Sequence, residues 1–196
     1  MKLIPEIRVR RGKIIEPASG NPIDPISVMR ALQSALSTDE EDAVFYIIDE
    51  GGMERNNFDM GLLERLGEEF RIWFKGGFRR AEFLMDAFIL GAEVAVMDSS
   101  TILSMKELKS AVDMSDNVSF SIEFRKFRRW NDVPTSVEEL SGILNGMNLH
   151  STVFSCDSEK EISYDSFRGL KFSSGCGEKG VDGLIVPYTL IHHLRE

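Results

Sequence analysis

The 196 residues have the length of one domain, so residues 1–196 are treated as a single unit with its own core. With 42% hydrophobic and 28% charged residues, the composition is that of a globular protein, and no apolar run reaches the ~20 residues of a membrane helix. A formal net charge of -9 disfavours nucleic acid as a partner, while two cysteines and the absence of a signal-peptide pattern predict a cytoplasmic protein.

Short apolar runs alternate with helix-like segments along the chain, which is typical of α/β folds with a parallel sheet. The predicted strands cover residues 4–9, 43–48, 72–74, 93–97, 118–124, 152–156, 170–174 and 183–187. The first six runs are almost wholly apolar, as expected of strands covered on both faces. Eight is the number of strands that closes a (β/α)₈ TIM barrel.

Recognisable end signals mark the helices between these strands. The predicted N-terminal caps are Asp24 before Pro25, Asn57, Ser104 with Glu107, and Ser136 with Glu139. A third helix is predicted over residues 80–90, ending at Gly91. A short helix is predicted over residues 164–168, and the last helix contains His192 and His193.

An internal repeat predicts that the barrel is shortened. A strand and glycine turn at residues 74–77 lead to Gly91, 15 residues after Gly76, whereas a similar turn at residues 172–175 leads to Gly180, only 5 residues after Gly175. The difference is about one helix, so we expect the helix between the seventh and eighth strands to be missing or reduced. Since a parallel sheet normally has both faces covered, the exposed strip favours a homo-oligomer, most simply a homodimer.

Four segments carry a resemblance to a known family: residues 4–13, residues 48–52, residues 75–79, and Ser173, Ser174 and Gly175. In this order they resemble the first strand and turn, the second strand end, the Gly-Gly-Gly-Ile-Arg turn and the Ala-Ser-Gly-Gly turn of the histidine-biosynthesis barrels, the HisA ribotide isomerase and the HisF cyclase. The resemblance implies a barrel built by half-barrel duplication. It also looks like the reduced HisA-related branch that accompanies methanogenic and one-carbon cofactor metabolism.

The family's chemistry implies two acid/base groups. It is an Amadori rearrangement of a phosphorylated aminoaldose, driven by one Asp at the end of the first strand and another at the end of the fifth. The matching positions in this chain are Arg8 and Glu123. Because Arg8 is a fixed cation near neutral pH, the replacement argues against the standard isomerase activity.

Polar residues at the strand ends form the candidate site, because active sites of such barrels lie at that face. Glu123, Arg8 and Lys75 are the candidate catalytic residues. Glu123 is either a general acid/base or a carboxylate paired with Arg8 or Arg125. Lys75 either binds an anionic group or forms a Schiff base, and anion binding is favoured. The candidate substrate-binding residues are Asp49, Gly76, Gly77, Asp98, Ser99, Ser155, Ser174 and Gly175.

Two features weaken the phosphate sites that the resemblance implies. Asp98 stands where the family has a glycine, and its carboxylate would repel a phosphate. Pro187 stands where an N–H group would be offered, and proline has none. Gly76, Gly77, Ser99, Ser174 and Gly175 remain as small residues and donors suited to an anion.

No metal and no cofactor is predicted. Cys156 and Cys176 follow neighbouring strands and either meet as a redox or metal pair or, as we favour, are packing residues. His192 and His193 are adjacent on a predicted helix and therefore point in different directions. The basic run at residues 125–130 suggests either a polyanion partner or, as we favour, a loop over the barrel mouth.

The sequence therefore predicts a divergent HisA-type barrel acting on or binding a small phosphorylated or carboxylated metabolite. The expected reaction class is isomerase or lyase. The alternative is a catalytically inactive barrel that serves as a binding or assembly subunit, which the replacements at Arg8, Asp98 and Pro187 favour.

Overall fold

The computed structural model describes residues 2–15, 20–36, 43–123, 136–155, 164–174 and 180–194. Its strands are β1 (Lys2–Val9), β2 (Ile14–Ile15), β3 (Pro22–Ile23), β4 (Val44–Asp49), β5 (Arg71–Lys75), β6 (Val94–Asp98), β7 (Val118–Glu123), β8 (Ser151–Ser155), β9 (Leu170–Ser174) and β10 (Gly183–Pro187). Eight of them form a closed parallel barrel in the order β1-β10-β9-β8-β7-β6-β5-β4, and β4 pairs back onto β1. Strands β2 and β3 form a small antiparallel pair. The eight predicted strands and the closed α/β barrel are confirmed.

The helices are α1 (Pro25–Leu36), α2 (Glu50–Arg55), α3 (Met60–Gly67), α4 (Phe83–Ile89), α5 (Met105–Met114) and α6 (Val137–Leu144). Two short 3₁₀ helices follow, Tyr164–Ser166 and Tyr188–Leu194. All helices predicted in the first 150 residues are present, but α2 was not predicted. Its two glycines disfavour a helix, and it is stabilised by Asp49 at its N-terminus and by Asn56, whose φ is 55°, at its C-terminus.

One predicted cap and one predicted capping box are wrong, although Ser104 is the N-cap residue of α5 as predicted. Asp59, and not Asn57, caps α3, since its carboxylate accepts a 3.0 Å hydrogen bond from the N–H of Leu62. Ser104 stands before α5 without a side-chain capping bond, and the carboxylate of Glu107 instead accepts a 3.0 Å bond from the N–H of Ala81. The cap of α6 is confirmed, because Ser136 accepts a 3.1 Å bond from the N–H of Glu139.

The core has two apolar layers, because successive residues of a strand face opposite sides of the barrel. The outer layer lies between strands and helices and includes Phe45, Phe74 and Phe120. The layer inside the barrel consists of Ile4, Val44, Tyr46, Ile48, Trp73, Val94, Val96, Val153, Phe172 and Ile185. Further along the same inward rows come the polar residues of the C-terminal end. An apolar floor therefore supports the polar mouth.

The opposite end of the barrel carries His150, directly before β8. Its ring packs edge to face on Trp73, with 5.0 Å between ring centroids. Burial lowers the pKa of His150. This histidine therefore lies at the N-terminal end of the barrel, away from the mouth.

The missing helix and the homodimer, both predicted from the sequence, stay predictions. Residues 175–179 lie outside the described residues, so the missing helix between β9 and β10 stays a prediction, as does the homodimer. Over the described part of the chain, none of the helices is both long enough and apolar enough to span a bilayer.

Candidate functional site

A pocket of about 290 Å³ opens at the C-terminal mouth of the barrel. Its walls come from β1, α2 and β5 on one side and from β7 and β8 on the other. The lining residues are Arg8, Arg10, Ile48, Glu50, Met53, Glu54, Lys75, Glu123 and Ser155. The fold thus places all three candidate catalytic residues on the wall of a single pocket, together with Ser155.

The strand order gives these three residues a defined arrangement around the ring. Strand β5 lies two strands away from β1, and β7 lies two strands beyond β5. Arg8 on β1 and Glu123 on β7 therefore come from opposite sides of the barrel, and Lys75 on β5 comes from midway between them. A ligand that reached from Arg8 to Glu123 would pass Lys75.

Lys75 is buried and forms an ion pair with Asp98 of the neighbouring strand β6. Its ammonium group contacts Asp98 Oδ2 and donates a 3.2 Å hydrogen bond to Ser121 Oγ. Burial alone would lower the pKa of Lys75, but its neighbours, Asp98 foremost, together outweigh burial and raise it. Burial would likewise raise the pKa of Asp98, but Lys75 lowers it. Both groups are therefore charged at neutral pH.

Tyr46 and Ser100 place two further hydroxyl groups beside this ion pair, and both are neutral. Burial raises the pKa of Tyr46 to about 12, so its phenol keeps its proton. Ser100 holds Asp98 in place, since Asp98 Oδ1 accepts a 2.8 Å hydrogen bond from the Ser100 N–H and a second bond from its hydroxyl. Asp98 is fully buried and is not on the pocket wall.

Glu6 is a site residue that sequence reasoning missed. Its buried carboxylate accepts a 2.7 Å hydrogen bond from Arg8 Nε and a 2.9 Å bond from Ser174 Oγ. The signal was present, because a glutamate two residues before Arg8 in an apolar strand must face the same way as Arg8. Ser174 thus lies beside Glu6, and the half-exposed guanidinium of Arg8 reaches the pocket.

Helix α2 forms one wall of the pocket and pairs with β1 through charges. Glu50 Oε1 lies 3.7 Å from Arg8 Nη1, and Glu50 Oε2 lies 3.6 Å from Arg10 Nε. Arg10 Nη2 also contacts Glu54, one helical turn further along α2. Arg10 and Glu54 were missed because the helix that presents Glu54 was itself not predicted.

Glu123 is held in position at the end of β7 by a serine of β6. Its backbone N–H donates a 2.9 Å hydrogen bond to Ser99 Oγ, and Ser99 itself is buried. In the parallel register Glu123 lies beside Ser155 of β8. Ser99 therefore fixes the strand end that carries Glu123, whereas Ser155 lines the pocket next to it.

Asp49 ends β4 at the same C-terminal face of the barrel, but its side chain faces away from the pocket. Its buried carboxylate accepts a 2.9 Å hydrogen bond from the Gly52 N–H and a 2.8 Å bond from the Asp59 N–H. It joins the start of α2 to the start of α3. In this structure its carboxylate is thus used for capping.

Gly76 and Gly77 are buried beneath α2. A Cβ atom on Gly77 would lie 2.6 Å from the Cα of Met53, and the φ of Gly77 is 82°. A Cβ atom on Gly76 would lie 2.5 Å from the ring of Phe74. Both glycines line a second pocket of about 90 Å³ next to Phe58 and Phe78, separate from the mouth pocket. Packing against α2 and the aromatic rings is sufficient to require this glycine pair.

We expect Gly77→Ala to lower the free energy of unfolding by at least about 1–2 kcal/mol, because a left-handed backbone and a close contact with α2 combine. Urea denaturation measures the effect. Gly142→Ala is the matched control, since Gly142 is exposed in α6 with open space around it and should gain about 0.5–1 kcal/mol. Equal effects of the two substitutions would contradict this role of Gly77.

Several residues singled out from the sequence lie outside the described residues: Gly175, Cys156, Cys176 and the basic run at residues 125–130. Pro187 ends β10, where it pairs with Glu6. In the described portion of the chain, no group of His, Cys, Asp and Glu side chains is arranged to hold a metal ion.

Comparison with known proteins gives no match to this chain, either among protein-family models or among curated proteins.

Proposed function

We propose that the mouth pocket binds a small phosphorylated or carboxylated metabolite and that Glu123 exchanges a proton with it. The chain would then be an isomerase or a lyase. The observation that carries this proposal is that Arg8, Lys75 and Glu123 line the same pocket. Two cations and a carboxylate around one pocket supply both anion binding and acid/base chemistry.

The anionic part of the ligand is assigned to the β1 side of the pocket. The guanidinium of Arg8 is half-exposed, and Arg10 lies beside it. A planar guanidinium suits the paired oxygens of a phosphate or carboxylate. The pocket volume of about 290 Å³ favours a small metabolite, because drug-sized ligands use pockets of about 300–1,000 Å³.

The reacting part of the ligand is assigned to the β7 side, next to Glu123. A carboxylate there can take a proton from a carbon atom adjacent to a carbonyl group. Lys75 lies between the two ends and offers a positive charge to the carbonyl oxygen. Proton transfer of this kind is common to isomerases and lyases.

We also propose a relation to the HisA/HisF barrels and to their reduced branch linked to one-carbon cofactor metabolism. The closed parallel barrel and a pocket at its C-terminal end support this proposal. Arg8 cannot serve as the second acid/base group of an Amadori rearrangement. We therefore propose a divergent reaction within a HisA-type barrel.

A catalytically inactive binding or assembly subunit is the second candidate function. One observation favours it: Arg8, Arg10 and Lys75 are each ion-paired within the chain. A ligand anion must compete with Glu6, Glu50 and Asp98 for these cations. Purification of the protein from its source in a stable complex with another chain, together with no small-molecule hit, would favour this alternative.

A thermal-shift screen against sugar phosphates, small carboxylates, and pterin and furan precursors tests the proposed function. A ligand at 100 times its Kd should stabilise the fold by about 2.7 kcal/mol. Arg8→Gln keeps a donor for Glu6 but removes the charge, so we expect it to abolish most of this stabilisation. Arg65→Gln, at an exposed position on α3, is the control and should leave it intact. Equal stabilisation in both variants would place the ligand elsewhere.

A further inference from the structure

The two residues of the Lys75–Asp98 ion pair differ in their access to the pocket. Lys75 lines the pocket, whereas Asp98 lies fully buried behind it and is not on the pocket wall. Asp98 is therefore out of reach of a ligand. Its contacts are with Lys75 and with Ser100.

We propose that Asp98 is a positioning residue, which holds Lys75 as a permanent ammonium group so that Lys75 polarises a ligand carbonyl by hydrogen bonding and forms no imine with it. This inference rests on the proposed function and deepens it, since it specifies how the carbonyl is bound. The substrate class is a hydroxy-aldehyde or hydroxy-ketone that also carries a phosphate or carboxylate.

The donor geometry of Lys75 supports this role. An ammonium group has three N–H donors. Among the described residues, Lys75 Nζ forms an ion pair with Asp98 Oδ2 and donates a hydrogen bond to Ser121 Oγ, and these two contacts occupy at most two of the three donors. The third is left for the pocket that Lys75 lines. Ser100 prevents Asp98 from turning away, because its N–H and hydroxyl group both hold the other carboxylate oxygen.

The reaction that this arrangement allows needs no reactant other than the ligand itself. Glu123 removes a proton from the carbon next to the carbonyl group, and the electron pair of the broken C–H bond forms a carbon–carbon double bond. The carbonyl oxygen takes up the negative charge, which the Lys75 ammonium stabilises. Transfer of the hydroxyl proton to the former carbonyl oxygen and return of the proton from Glu123 to the former carbonyl carbon complete an isomerisation. Re-formation of the carbonyl group, with departure of a leaving group and its bonding electron pair from the carbon beyond the deprotonated one, completes an elimination.

Among the described residues, three titratable groups face Lys75 from the strands packed around it: Asp98 from β6, Tyr46 from β4 and Glu123 from β7. Burial opposes the charge on Lys75, and Asp98 is the largest of the influences that favour it. Without the Asp98 carboxylate, burial should dominate and Lys75 should lose its proton more easily. Asp98→Asn removes this charge and retains an oxygen for Ser100.

NMR titration of ¹³Cε-labelled lysine measures the protonation of Lys75 directly and without any ligand. Lys75→Arg assigns the signal. In the wild type we expect a midpoint above the ordinary value of 10.5. In Asp98→Asn we expect it to fall by about 1–3 pH units. A wild-type midpoint below 10.5, or no fall in the variant, would overturn the proposal.

Trapping with glyoxylate and cyanoborohydride tests the chemical consequence, because glyoxylate is a small anionic aldehyde that forms imines with neutral amines. At pH 7.5, mass spectrometry should find wild-type modification at exposed lysines such as Lys109 but not at Lys75. In Asp98→Asn, modification of Lys75 should rise about tenfold for each pH unit by which its midpoint falls. Trapping at Lys75 in the wild type would overturn the proposal even if the variant does not fold.

These two experiments test the role of Asp98 independently of the proposed function. The titration and the trapping report on Lys75 in the free protein. A failed ligand screen with a high Lys75 midpoint would leave Asp98 as the residue that sets the charge of Lys75 and would refute only the proposed function.

Discussion

Replacing Lys75 with methionine is expected to lower the free energy of unfolding at pH 7.5 by about 3–5 kcal/mol, because the Asp98 carboxylate is left buried without its cation. Lys75→Met keeps the length of the apolar stem, so lost packing contributes little. Urea denaturation of the single variant and of Lys75→Met/Asp98→Asn measures the effect. We expect the double variant to recover most of the loss, since no unpaired charge is then buried.

The pH dependence of this loss has a defined sign. In the wild type the pKa of Asp98 lies below its ordinary value of 3.8, so its contribution is present above that value and is lost as the pH falls through the folded-state pKa. In Lys75→Met burial should raise the pKa of Asp98 instead. The deficit of the variant should therefore shrink as the pH is lowered from 7.5 towards 4. A deficit that is independent of pH, or additive single effects in the double variant, would contradict the buried ion pair.

Glu123→Gln should reduce proton exchange with a bound ligand by about 10²–10⁴-fold, the usual contribution of a general acid/base. Glutamine keeps the size and the backbone bond to Ser99 but cannot accept the proton. The measurement is deuterium incorporation from D₂O into a ligand identified by the thermal-shift screen, followed by NMR. Ligand binding itself should change far less than exchange.

Glu64→Gln provides the matched control for this prediction. Glu64 is an exposed glutamate of α3 outside the pocket lining, so the exchange rate should stay at the wild-type level. Exchange that persists in Glu123→Gln would remove Glu123 from the reaction. Loss of exchange in both variants would indicate an effect on the whole charge balance of the protein.

The barrel could be predicted from sequence because many of its strands are almost wholly apolar runs, such as residues 43–48, as expected of strands covered on both faces. Helix α2 could not, because Gly51 and Gly52 have low helix propensity, and Asp49 is held at the start of α2 by a second bond from the N–H of Asp59, ten residues further on. Missing α2 also left the packing reason for Gly76 and Gly77 unseen. Both the formation of α2 and the need for the glycine pair depend on tertiary contacts.

The candidate site was partly readable for a similar reason. Arg8, Lys75 and Glu123 end their strands, and parallel strands bring their C-terminal ends to one face. The partners of these residues depend on register and on which face each residue takes. Lys75 and Asp98 end neighbouring strands, yet their pairing emerged only with the geometry of β5 and β6. The link from Glu6 to Ser174 spans almost the entire chain and joins strands that are not adjacent in the barrel.

The most direct test of the account is a crystal structure of the protein with the best ligand from the thermal-shift screen. We expect the anionic group of the ligand at hydrogen-bond distance, about 2.7–3.2 Å, from the Arg8 guanidinium, with Lys75 and Glu123 contacting the same molecule from their own sides of the ring. A ligand bound in the smaller pocket beside Gly77, or one that contacts none of these three side chains, would contradict the account.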